Sequence, residues 1–238
     1  VKRGGIALLV VLRNEKKYLI SIADYFKNSA YLGCFIAEDP HNGSSGYRVR
    51  TLYFDTAYDT DLFEKESGVE QRRKVRLRIY DPGVDYAFLE MKQKQGSNQL
   101  KRSLKISRED AEKLIDGNFS PLLCYKEEFS KEMYGFMTYR CYRPKTIVEY
   151  IRKAYIAKEN KIRITFDRDI KSTESNMDLF SQELIMNPVM DPYNVILEVK
   201  YNGFLLDYIK QMLTGIDKSE LSVSKYYLAR QHGCLTRL

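Results

Sequence analysis

Between residues 72 and 79 the chain reads Arg-Arg-Lys-Val-Arg-Leu-Arg-Ile. At the two-residue period of a β-strand, Arg72, Lys74, Arg76 and Arg78 share one face, and Arg73, Val75, Leu77 and Ile79 share the other. A half-buried strand turns its apolar face to the core. The opposite face here is a continuous cationic stripe. The same alternation recurs along the chain. Arg13, Glu15 and Lys17 share a phase; Glu90, Lys92 and Lys94 oppose Leu89 and Met91; Lys101, Ser103 and Lys105 oppose Leu100, Leu104 and Ile106, with Arg102 breaking the pattern. Later, Lys161, Arg163, Thr165 and Asp167 oppose Ile162, Ile164 and Phe166, and Glu198 and Lys200 oppose Leu197, Val199 and Tyr201. A solvated face accounts for any one of these strands. It accounts poorly for all of them together, because the polar faces are dominated by Arg and Lys, with carboxylates repeatedly placed two residues from a cation.

The strand signals fall at residues 6–20, 47–55, 71–80, 86–94, 98–106, 145–155, 161–168 and 195–201. Helical spacing covers 21–32, 108–116, 123–137, 203–214 and 221–231, with Ser21 and Ser107 as N-cap residues and Gly33 and Gly117 as stops. Turns at Asp81-Pro-Gly83 and Gln95-Gly-Ser-Asn98 predict a meander of three strands. The pattern predicts an α+β fold with a large antiparallel sheet in one domain over 1–238, and eight strands can close into an eight-stranded antiparallel β-barrel with helices packed outside. With the apolar faces outward under helices, the lumen is charged.

The excess of 39 Lys+Arg over 32 Asp+Glu, a net charge of +7, favours anionic partners. Cys34, Cys124, Cys141 and Cys234 form no CxxC pair, which predicts buried thiols in a reducing compartment and a cytoplasmic setting. His41 and His232 lack the neighbours of a nucleophilic site and read as structural. The apolar run Ile6–Leu12 is too short to span a bilayer and reads as the start of the first strand.

A lumen of arginine forks and lysine ammonium groups binds phosphate oxygens by charge-assisted hydrogen bonds. Interspersed carboxylates moderate cation repulsion and can hold a divalent metal. Phosphoryl transfer needs positioned phosphates, cations that neutralise developing charge and an in-line nucleophile. The sequence has no GxxxxGK[ST] loop, so the phosphate cradle is not a P-loop. The cationic faces carry few aromatics, which favours bare phosphate over nucleic acid.

Several segments, in order along the chain, carry a likeness: Arg13-Asn-Glu-Lys-Lys-Tyr18, Thr51-Leu-Tyr-Phe-Asp-Thr56, Arg76-Leu-Arg-Ile-Tyr80, Leu89-Glu-Met-Lys92, Tyr150-Ile-Arg152, Arg163-Ile-Thr-Phe-Asp167, Leu197-Glu-Val-Lys200 and Ser224-Lys-Tyr226. The chain resembles the catalytic domain of the vacuolar transporter chaperone (VTC) polyphosphate polymerases, within the CYTH-like triphosphate tunnel metalloenzymes. The resemblance implies an ATP-dependent transferase that moves the γ-phosphate of ATP onto a growing polyphosphate chain inside the tunnel. By position it implies Lys17, Arg76, Arg78 and Lys92 as catalytic phosphate ligands. Arg13, Lys101, Arg152, Arg163, Lys200, Ser224 and Lys225 would bind substrate, with Arg102 competing for the role of Lys101. Glu198 and Glu15 would hold Mn2+ or Mg2+, with Glu90 and Asp167 as secondary acids. The implied partners are ATP, polyphosphate, pyrophosphate or phosphate, with no nucleic acid and no membrane span, in a stand-alone soluble domain. Tunnel hydrolases usually open with ExExK; here a cation, Arg13, occupies the first acid position. That favours a polymerase over the alternatives, a tripolyphosphatase or nucleoside triphosphatase on the same fold, or a non-catalytic polyphosphate-binding module.

Overall fold

Strand phase follows the alternation closely in the computed structural model, which describes residues 13–96, 98–215 and 224–235. The chain runs β1 (Arg13–Ser21), α1 (Ile22–Phe35), β2 (Ala37–Glu38), β3 (Tyr47–Asp55), α2 (Thr60–Glu66), β4 (Gln71–Ile79), β5 (Tyr86–Gln95) and β6 (Asn98–Ser107). It continues with α3 (Arg108–Ile115), α4 (Glu128–Tyr139), β7 (Arg143–Ala157), β8 (Ile162–Thr173), β9 (Asn187–Pro188), β10 (Asn194–Asn202), α5 (Asp207–Thr214) and α6 (Lys225–Leu235). The run Ile6–Leu12 lies outside the described residues.

One antiparallel sheet carries the fold, in the order β1-β10-β8-β7-β3-β4-β5-β6, with the short β2 and β9 paired to β7 and β8. Eight strands lie on this path, the number the sequence predicts. Among the described residues no ladder joins β1 to β6, so hydrogen bonds do not close the sheet. It curls instead. Lys92 on β5 reaches Glu15 on β1 at 3.1 Å, although these strands lie near opposite ends of the path. The curl leaves a concave face that meets itself.

The convex face carries two apolar cores. Leu52, Val75, Leu77, Leu89, Leu104 and Ile106 pack under α3 and α4. Tyr18, Ile20, Ile164, Phe166, Leu197 and Val199 pack with α1 and α5. Each is the apolar half of an alternating strand, so burying it fixes which residues face inward. A third cluster lies on the concave side: Val49, Tyr53, Val148, Tyr150 and Ile196 receive Tyr226 and Ala229 of α6. That helix therefore packs against the inner surface, and Leu62 of α2 packs against the same cluster.

Local signals explain most boundaries. The Ser21 and Ser107 hydroxyls accept from the backbone N–H of Asp24 and Asp110, at 3.0 and 3.1 Å, and cap α1 and α3. Helix α1 passes through Gly33 to Phe35, because Gly33 keeps helical backbone and Ile36 is the first extended residue. Pro121 draws the start of the segment predicted as helix 123–137 into a 3-10 turn, Ser120–Cys124, and α4 begins only at Glu128. Strand β8 runs beyond the predicted end at 168. A register shift opposite Tyr150 inserts an extra residue, and Asp169 takes the left-handed conformation (φ 52°), which breaks the alternation there. Gly46, at φ 95°, enters β3 so close to β7 that a Cβ would lie 2.4 Å from the Arg152 carbonyl oxygen. A side chain at this position would displace the backbone that carries Arg152.

The cysteines depart from expectation. Cys34, Cys124 and Cys141 are exposed, because they sit at the last turn of α1, at the end of the 3-10 turn and in the turn before β7. The side chains of Cys234 and His232 lie outside the described residues. His41 is structural as read: its ring and its backbone N–H both contact the Asp39 carboxylate, at 2.8 and 3.0 Å.

Helix α2 has no clear signal in the sequence, because its cap comes from the preceding strand. Asp55 accepts from the backbone N–H of Asp61 and Leu62, at 2.9 and 3.0 Å, and from the Tyr226 hydroxyl at 2.7 Å. Asp61 is 1 % exposed and accepts from Tyr142. Burial, then the Asp55 charge, push its carboxyl up to about 7. The folded state therefore holds a proton that the unfolded chain releases, so Asp61 favours folding most below its ordinary value of 3.8 and loses that contribution as pH rises to about 7. Asp61→Asn, which keeps the Tyr142 bond, is expected to gain stability relative to wild type as pH goes from 5 to 8, read by thermal melts as a rising difference in Tm of about 2 °C or more. A pH-independent difference would show that Asp61 ionises normally.

Candidate phosphate-binding tunnel

Nine of the predicted basic residues, from Lys17 to Lys225, lie on the concave face, and each is held by a carboxylate. Glu90 on β5 accepts from Arg76 Nε at 2.7 Å, lies 3.5 Å from Arg78, and pairs with Lys101 across β6. Burial alone would raise its carboxyl, but the Arg76 and Arg78 guanidiniums hold it at about 2. Glu15 bridges Lys17 at 2.8 Å and Lys92 at 3.1 Å. Glu198 pairs with Lys200 at 2.6 Å and lies 3.8 Å from Arg152. Asp167, fully buried, accepts two bonds from Arg152, at 2.6 and 2.7 Å, and one from Lys225 at 2.5 Å. Arg163 reaches Asp39 at 2.7 Å and the Tyr47 hydroxyl at 3.2 Å.

The ladder registers explain the convergence. Lys17 stands opposite Glu198, and Glu15 opposite Lys200. Arg152 stands opposite Asp167, and Arg76 opposite both Tyr53 and Glu90. Paired positions project to the same face, so the ion pairs follow from register.

The electrostatics separate the groups. Burial would discharge Lys17, but Glu198 and Glu15 raise its affinity for a proton. Lys92 and Lys200 are shifted down, chiefly by burial. Glu198 is driven well below the ordinary carboxylate range, against burial, by Lys200, Lys17, Arg152 and Lys225. Every acid of this set is an anion at neutral pH, and the basic residues outnumber them. The remaining positive charge favours anionic ligands.

Two of the other predicted residues have different settings. Ser224 accepts from the Tyr227 backbone N–H at 3.1 Å and so caps α6. Arg13 shares the phase of Glu15 and Lys17, but its side chain lies outside the described residues. The competition between Lys101 and Arg102 resolves by strand phase. Arg102 points to the convex side, where it pairs with Glu132 of α4 and lies 4.8 Å over the Phe129 ring.

Asp167 emerges as an anchor of Arg152 and Lys225 rather than a free acid, since both of its oxygens are occupied. Lys74 was not among the predicted ligands, yet it lies inside beside Lys17, Lys92 and Arg76. Its phase with Arg76 and Arg78 was the available signal.

Among the described residues no three His, Cys, Asp or Glu side chains gather as a metal cage. Glu15 and Glu198 feel each other's charge and lie on paired strands. Mg2+ and similar hard cations commonly take one or two carboxylates and complete their shell with phosphate oxygens and water. Among the described residues Glu198 Oε2 has only Arg152 beside it, at 3.8 Å, whereas both Glu15 oxygens pair with lysines, so a cation arriving with a phosphate ligand would meet Glu198 first and reach Glu15 only by displacing Lys17 or Lys92.

The family model for the VTC domain matches residues 12–232. No curated protein sequence matches significantly. Among solved structures, the chain is similar to a protein of Bacillus halodurans described as a candidate adenylate cyclase, at 12% identity and a TM-score of 0.52, covering 90% of this chain and 94% of that one. It is also similar to a candidate adenylyl cyclase from Hippeastrum with a dominant triphosphatase activity, at 14% identity and a TM-score of 0.54, covering 92% and 95% of the two chains. The curled antiparallel sheet is thus a fold shared with these two proteins. No helix among the described residues is long and apolar enough to cross a membrane.

Proposed function

We propose, from the premise that the chain belongs to the VTC domain family, that it is an ATP-dependent polyphosphate polymerase. The observation that carries this reading is the acid-braced set of Arg76, Arg78, Lys101, Lys92, Lys17, Arg152 and Lys200 facing one lumen. Glu90 and Asp167 orient the guanidiniums before substrate arrives, so little reorganisation accompanies charge development in the transition state. Arg76, Arg78, Lys17 and Lys92 are the residues assigned to the transferred phosphoryl group. Arg152, Arg163, Lys200, Lys101 and Lys225 hold the flanking phosphates, and Ser224 positions Lys225 by capping α6. A divalent cation at Glu198 and Glu15, when bound, supplies Lewis-acid neutralisation of phosphate charge. The incoming nucleophile is the terminal oxygen of a phosphate chain, and ADP is the leaving group.

The deciding experiment incubates the purified chain with ATP and Mn2+ and resolves products by gel and phosphate assay. Long polyphosphate with ADP supports polymerase. Free phosphate without chains would instead assign the tunnel to triphosphate hydrolysis. Retention of polyphosphate with neither product would leave a binding module. Glu198→Gln is expected to raise the Mn2+ concentration needed for half-maximal activity about tenfold, and an unchanged Mn2+ response would remove Glu198 from the cation site.

A further inference from the structure

At one end of the concave face the cations give way to aromatic rings. Ala87 and Leu89 pack in the convex core, so Tyr86 and Phe88 share the inward phase of Glu90. Leu104 and Ile106 likewise turn Lys105 inward, opposite Phe88. Tyr47 packs against the inner cluster of Val49 and Tyr53, and Tyr80 follows Arg76 and Arg78 just past the end of β4. The rings meet one another across the strands. Tyr47 and Tyr80 lie 6.0 Å apart, Tyr80 and Phe88 6.3 Å, and Phe88 and Tyr86 5.5 Å, each pair edge-to-face. Contacts of this kind fix the ring planes. Tyr53 and Tyr150 also face inward, but they are buried in one cluster with Tyr226 of α6. The band is open by contrast: Tyr80, at its centre, is 42% exposed. Lys105 Nζ lies 3.8 Å over the Tyr86 ring and takes one of its faces.

The band borders the acid-braced cations on several strands at once. Arg78 pairs with Phe88 across β4 and β5, and Tyr47 with Arg152 across β3 and β7. The Tyr47 hydroxyl accepts from Arg163 at 3.2 Å. Tyr80 stands two residues past Arg78, about 7 Å along an extended chain. A flat ligand seated on these rings is therefore within a sugar's reach of the cations. An apolar peptide or a lipid tail would leave Arg78, Arg163 and Lys105 without anions. A base joined to phosphates meets a ring face at one end and cations at the other.

We infer that Tyr80, framed by Tyr47 and Phe88, is a stacking platform for the base of a nucleoside triphosphate whose phosphates lie among the acid-braced cations. This rests on the reading of the lumen as a phosphate site. It goes beyond that reading by assigning the choice between a nucleotide and an inorganic triphosphate to uncharged rings. Stacking uses the π-face that every base has, so the platform accepts any base and holds the larger purines better than pyrimidines. Tyr80 and Tyr86 flank the Asp81-Pro-Gly83 turn, so one hairpin presents both. Tyr47 reaches them only through the curl of the sheet.

The test titrates ATP, CTP and tripolyphosphate into the wild-type chain, Tyr80→Leu and Tyr80→Phe by calorimetry, with EDTA present to suppress turnover. Leucine keeps the apolar bulk and removes the flat face; phenylalanine keeps the face. Both variants replace a half-exposed side chain and are expected to melt within a few degrees of wild type. Tyr80→Leu is expected to weaken ATP about tenfold and CTP less, and to leave tripolyphosphate within about twofold, while Tyr80→Phe matches wild type for all three. Stacking itself is read with a triphosphate carrying the fluorescent base 2-aminopurine, whose emission is expected to be quenched by wild type and Tyr80→Phe but not by Tyr80→Leu. Equal losses of ATP and tripolyphosphate in Tyr80→Leu would make Tyr80 part of the phosphate site and overturn the inference. So would unchanged ATP affinity in that variant, or quenching that survives it. Failure of the wild-type chain to bind tripolyphosphate or ATP would instead reject the phosphate reading of the lumen, and the platform with it.

Discussion

Arg76→Ala is expected to lower polyphosphate synthesis about a hundred- to a thousandfold while leaving the melting temperature within a few degrees of wild type. The two halves of this expectation have separate physical origins. Arg76 donates to Glu90 and lies beside the buried Tyr53 phenol, whose proton affinity the cations Arg76, Arg78 and Lys225 lower against the effect of burial. Its guanidinium is thus fixed before any substrate binds. Removing it deletes a preorganised fork from the place where phosphoryl charge develops. The fold tolerates the loss because Glu90 keeps Arg78 and Lys101 as partners, so no buried carboxylate is stranded. Arg76→Lys restores the charge but not the planar fork, and should recover only part of the rate. A variant that unfolds, or one that retains full synthesis, would make Arg76 a structural residue. Full rescue by lysine would show that charge alone matters there.

The same strand shows how far the sequence reaches. Val75, Leu77 and Ile79 pack on the convex face, so the alternation that sets Arg76 and Arg78 opposite them puts these two on the concave face. Short ladders with tight turns, such as β4–β5–β6, were legible because hydrophobic phase and turn residues agree. Lys101 and Arg102 were separable by the same phase rule, but only the Glu132 carboxylate on α4 shows why Arg102 gains by facing outward. Three features were not legible, and each depends on contacts distant in sequence. The cap of α2 is the Asp55 carboxylate at the end of β3. The register shift in β8 is set against Tyr150 on β7. That Lys74 makes no ion pair among the described residues depends on which strands curl to meet it, which no local pattern encodes. The cysteine reading failed for a simpler reason: burial was inferred from residue type, while position at helix ends and turns decided exposure.

Asp167→Ala is expected to be the most destabilising single change at the site, by about 3–5 kcal/mol. Asp167 is fully buried and holds Arg152 with two bonds and Lys225 with a third. Its carboxyl sits below the ordinary range although burial opposes this, because Arg152 and Lys225 favour the anion. Truncation leaves two cations facing each other in a buried place, with Glu198 at 3.8 Å from Arg152 as partial compensation. It also detaches the first residue of α6, whose next side chain, Tyr226, stacks at 5.1 Å on Tyr53 and donates to Asp55. The measured effect should therefore include loosening of α6, visible as faster amide exchange there than in α1 or α3. Destabilisation by stranded cations has a signature that simple loss of packing lacks: an anion can replace the carboxylate. Added tripolyphosphate should thus raise the melting temperature of Asp167→Ala more than that of wild type, by mass action on the folded state. A variant as stable as wild type would remove Asp167 from its anchoring role. A destabilised variant with no extra response to the anion would mean that Arg152 and Lys225 do not face the phosphate path.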